Sequence, residues 1–78
     1  MKNLFLSILI ATTVHVQVKV IDYYTNEELC GVKVNSEYTN FEGNVKIDNN
    51  KLNFYYPSYE PLDTIVYSNY NVIKLKQL

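Results

Sequence analysis

The chain has 78 residues, a net charge of −1 and 47% hydrophobic residues, the profile of one small globular domain. Its cations are all lysine and are balanced by eight acids. It therefore lacks the basic, arginine-bearing surface that nucleic-acid binding uses. Cys30 is the single cysteine, which excludes an intrachain disulfide and a thiolate zinc site.

Residues 1–13 form an apolar leader. Met1-Lys2-Asn3 is a short basic start and Leu4 to Ala11 (LFLSILIA) an eight-residue apolar run, the layout of a secretory signal with Ala11 and Thr13 at its cleavage positions. The run is too short to span a membrane, which takes about 20 residues. Two fates of this leader stand side by side. Cleaved, it exports the domain to the periplasm or cell surface. Retained, Leu4, Phe5, Leu6, Ile8 and Ile10 make a strand-competent arm that needs a neighbour's sheet edge or groove to leave water.

The domain proper, residues 14–78, begins with VHVQVKVID. Val14, Val16, Val18 and Val20 share one face while His15, Gln17 and Lys19 share the other, which predicts a half-buried strand of an antiparallel sheet. Tyr23 to Leu29 is a polar loop turning at Thr25-Asn26. Cys30 to Asn35 alternates again, with Cys30 expected as a small buried strand residue and Val32 and Val34 inward. Tyr38 to Gly43 reads as a turn closed by glycine, Asn44 to Ile47 as a short strand, and Asp48-Asn49-Asn50 as a second turn. Lys51 to Tyr56 places Leu52, Phe54 and Tyr56 on one face. After Pro57 to Pro61, the segments Leu62 to Tyr67 and Val72 to Leu78 supply the last strands, with Ile73 and Leu75 inward and Lys74 and Lys76 outward.

Six or seven short strands at intervals of about 8–12 residues predict an all-β domain, a small Greek-key β-sandwich. In the order of its signals the chain resembles the carboxypeptidase regulatory-like domain, a transthyretin-like β-sandwich common in Bacteroidota surface proteins. Asp22 matches the Asp that ends that family's first strand. Thr25 to Val34 matches its second element, Thr39-Asn40-Phe41-Glu42-Gly43 its Thr-Asp-x-x-Gly turn, and Tyr56 to Glu60 its Gly-Tyr region. Asn26, Glu28 and Ser58 depart from the pattern, standing for a turn glycine, a proline and the glycine before tyrosine. The resemblance implies an accessory module attached to something larger, and its motifs are turn and packing residues that imply no catalysis.

Residue chemistry points the same way. His15 is the only histidine, Glu27-Glu28 is a solvated pair in a loop, and the Asp48 cluster lacks the closing acid of a calcium loop. These patterns predict no enzyme, no cofactor and no metal. The eight tyrosines are the lead: Tyr55, Tyr59, Tyr67 and Tyr70 flank the points where the chain turns back, and those left outside the core suit a protein interface, with a glycan as the less favoured ligand. The function expected is an accessory structural subunit that decorates or cements a larger assembly, either a cell-surface complex or the virion of a Bacteroidota-infecting phage. The partner is a protein or further subunits, not nucleic acid, and no stable membrane span is expected. The alternative is a secreted binding module with a cleaved signal, recognising a protein or glycan.

Overall fold

Strand β1 (Val16–Asp22) is the centre of the fold, with Val16, Val18, Val20 and Asp22 buried and Gln17 exposed. The computed structural model describes residues 15–78, and among them the backbone forms seven strands and no helix. The arm residues Leu4, Phe5, Leu6, Ile8 and Ile10, and Val14, lie outside the described residues. The other strands are β2 (Lys33–Val34), β3 (Glu37–Tyr38), β4 (Asn44–Ile47), β5 (Lys51–Tyr55), β6 (Leu62–Ile65) and β7 (Tyr70–Leu75).

The strands make two sheets, one in the order β4-β1-β7 and the other in the order β3-β2-β5-β6. Their inner faces meet in one core: Val16, Val18, Val20, Ile47 and Leu75 come from the first, Val34, Leu52 and Phe54 from the second. Each of these side chains, fully buried, contributes about 1.5–3 kcal/mol against exposure. The alternation read for β1, for Val32 and Val34 and for Leu52 and Phe54 is the alternation observed. Tyr56 continues that last face only as a half-buried residue against the core.

Three expectations need correction. The β1 sheet is mixed, not antiparallel: β4 runs antiparallel to β1, but β7 runs parallel to it, from Gln17 beside Tyr70 to Asp22 beside Leu75. Cys30 is exposed in a turn, because the second strand holds only Lys33 and Val34. The segment at Tyr38 is not wholly turn. Asn35, at φ 57°, reverses the chain, and Glu37 and Tyr38 pair back on β2 as β3. Asparagine tolerates that left-handed conformation through local hydrogen bonding.

β3 lies beside β4, so the two sheets meet along that side of the sandwich. β6 and β7 flank the other side. There the sheets are tied at one corner, where Glu60 N–H donates to Lys76 O at 2.8 Å and Leu78 N–H to Ser58 O at 2.9 Å.

Candidate functional site

Asp22 ends β1 as a buried carboxylate, and its partners decide what it can do. Oδ1 accepts the backbone N–H of Tyr24 at 2.7 Å and of Thr25 at 3.0 Å. Oδ2 accepts the Tyr59 hydroxyl at 2.6 Å and Gln77 Nε2 at 2.8 Å. The Tyr59 hydroxyl, helped by the Thr25 amide, holds the carboxyl far below the usual acid range against the opposing effect of burial. The same bond and burial raise the Tyr59 hydroxyl. With both oxygens occupied and the charge fixed, Asp22 serves as an anchor, not as a proton acceptor. It joins the end of the first strand, the Tyr56–Tyr59 turn and the C-terminal tail.

A second polar cluster closes the β3–β4 side. Thr39 is buried and its Oγ1 accepts Val32 N–H at 2.9 Å while donating to Leu29 O at 2.6 Å. Asn40 Oδ1 accepts the amides of Glu42 and Asn44, each at 2.9 Å, and so shapes the turn from within. Gly43, at φ 79°, lets its carbonyl meet Val20 N–H at 2.8 Å. A Cβ there would stand 2.7 Å from Val20 O. Turn and central strand are thus locked together.

The β6–β7 side is different. Ile65, Tyr67, Tyr70 and Val72 are all exposed, Tyr67 at 88%, while Leu62 and Ile73 stay half-buried against the core. Along β7 the carbonyls of Asn69 and Leu75 accept from Gln17 and Tyr23 of the β1 side. In a parallel pair alternate residues bond to the same neighbour. Tyr70, Val72 and Lys74 therefore aim their backbone N–H and C=O groups away from β1, where no described strand pairs with them. On β6, Val66 N–H bonds back to Asn50 O, so Asp63 and Ile65 likewise face outward from the sheet edge. This side carries two strand edges that pair with no described strand, with exposed apolar side chains on the outer face of each sheet.

The predicted tyrosines part company here. Tyr67 and Tyr70 belong to the open side, and Tyr55 is exposed on the outer face of β5, beside Lys33. Tyr59 is half-buried and held by Asp22, so it is a packing residue in place of the free surface contact expected of it. Tyr70 also borders a shallow groove of about 380 Å³ with Gln17, Asn40, Asn44 and Lys46. The other polar groups make local pairs. His15 Nδ1 lies 2.7 Å from Asp48 Oδ1, and Lys19 Nζ 2.8 Å from Glu28 Oε2, a bond that raises the lysine pKa. Among the described residues no three histidine, cysteine or acidic side chains are grouped as metal ligands. Nor is any described helix long and apolar enough to cross a membrane.

Sequence reasoning missed the Asp22–Tyr59–Gln77 cluster and the Thr39 staple. The only signals were Asp22 and Thr39 as motif positions; their partners lie far along the chain. No family model matches the chain, and no curated protein or solved structure matches it.

Proposed function

We propose that the domain is a non-enzymatic accessory subunit that joins a larger protein assembly, a cell-surface complex or a virus particle, along its β6–β7 side. The observation that carries this reading is the exposure of Ile65, Tyr67, Tyr70 and Val72 on and between β6 and β7, two strands whose outer edges pair with no described strand. Aromatic residues of this kind supply most of the binding energy in protein interfaces. Monomeric proteins blunt or cover such edges.

The resemblance to carboxypeptidase regulatory-like domains supports an accessory role. Two of the three departures from that pattern, Asn26 and Ser58, stand where the pattern has glycine, and both have positive φ, 64° and 72°. The backbone conformation that glycine serves is kept although the residue is not.

Sedimentation of the protein from its native source tests the reading. The wild type should travel with a particle larger than the monomer, and the Tyr67→Ser, Tyr70→Ser double variant should be released as a folded monomer. A wild type that sediments alone sinks it. A second reading, a secreted module recognising a glycan, rests on the groove at Tyr70, where one aromatic wall faces the amides of Gln17, Asn40 and Asn44. That reading predicts an intact mass short of the leader, and saturable glycan binding lost on Tyr70→Ala.

A further inference from the structure

We infer that the outer edge of β7, paired with no described strand, is the acceptor for the apolar segment 4–10 of a neighbouring copy, which adds to it by main-chain pairing. The inference rests on the assembly reading and names its contact. Three observations lead to it.

The first is the edge itself. Tyr70, Val72 and Lys74 present a consecutive set of outward N–H and C=O groups, and Lys76 ends the set because its carbonyl already accepts Glu60 N–H. That row gives an incoming strand main-chain partners without breaking any bond to β1. The second is the gap behind the edge. Ile73 on β7 and Leu62 on β6 face inward yet stay half-buried, since the three-stranded sheet stops one strand short of covering its four-stranded partner on this side. A strand beside β7 would cover both. The third is the occupant. Leu4 to Ala11 holds one polar residue, Ser7, in eight, so both faces of an added strand are apolar. A segment of that composition suits a position where one face meets the core and the other meets Tyr70 and Val72.

The segment joins the domain just before β1, whose start lies beside the start of β7, with Gln17 next to Tyr70. Within one chain, residues 11–15 would have to pass the 66–69 connector at that same end of the sheet. Connections that cross at one sheet end are avoided. The donor is therefore a second copy.

Two full-length variants test this. Val72→Pro removes one outward N–H, fills the edge with a ring and leaves the β1 ladder intact. Ile8→Asp puts a charge in the arm. The wild-type chain should run as an oligomer by light scattering. Each variant alone should run as a monomer with the wild-type circular dichroism spectrum. Mixed, they should form a one-to-one complex, because Val72→Pro keeps a sound arm and Ile8→Asp a sound edge. A monomeric wild type overturns the inference, while leaving a role in a mixed assembly standing. Oligomers lost in Val72→Pro but kept in Ile8→Asp would mean that β7 edges pair with each other. The converse would mean that arms merely cluster. Two monomeric variants that fail to combine also overturn it.

Discussion

Both sides of this sandwich end in strands paired on one flank only, but their neighbouring turns are built differently. On the β3–β4 side the turn is tied from within, although Tyr38 and Phe41 reach solvent: Thr39 staples Leu29 and Val32, Asn40 fills its own turn, and Gly43 brings the turn onto Val20. On the β6–β7 side the outer edges pair with no described strand, and Ile65, Tyr67, Tyr70 and Val72 reach solvent without ties of that kind. The difference turns the proposed assembly into a prediction about which residues carry stability and which carry association. Loss of the Thr39 and Gly43 ties, or of the Asp22 anchor, should destabilise the domain, whereas loss of the exposed Tyr67 should change only association.

Substitutions should separate these roles cleanly. Gly43→Ala meets a carbonyl and a left-handed backbone together, so urea unfolding should show a loss of about 3 kcal/mol or more. Thr39→Val strands a buried amide and a buried carbonyl, and the same titration should record a loss of about 2–3 kcal/mol. Asp22 predicts an acid effect. Its folded pKa lies below the unfolded value of about 3.9, so its contribution is complete above that pH and fades as pH falls toward the folded value. Thermal melts of the wild type should therefore drop steeply below about pH 4, and melts of Asp22→Asn should start lower and change less there. Ser58→Gly should raise stability by about 0.5–1 kcal/mol by relieving a left-handed serine. Tyr67→Ser should leave stability within about 0.5 kcal/mol while weakening assembly, and a larger loss of stability would blur the division between the two sides.

Much of the fold was legible because period-two alternation reports burial directly. Val16, Val18 and Val20, then Leu52 and Phe54, announce an inner face whatever strand lies next to them. Pairing is another matter. Nothing in the alternation of β1 or β7 tells that they run parallel, since direction is set by where the chain travels between Asp22 and Tyr70. The burial expected for Cys30 failed for a local reason: Gly31, at φ 84°, turns the chain and puts its neighbour outside. The role of Tyr59 was hidden because its partner, Asp22, is 37 positions away. Composition could say that some tyrosines lie outside; only the fold says which.

The pairing of the first strand with the last has a consequence for how the domain is made. β1 has only β4 at its side until residues 70–75 have been synthesised, and Asp22 lacks Gln77 until the final residues follow. Loop closure over so long a stretch is slow compared with local hairpins. On a ribosome the sandwich cannot close until residues 70–77 have emerged from the exit tunnel. Until then the nascent chain is an unfinished sheet behind the apolar run of residues 4–11. Completion of the fold is thus a late event, set by the arrival of residues 70–77.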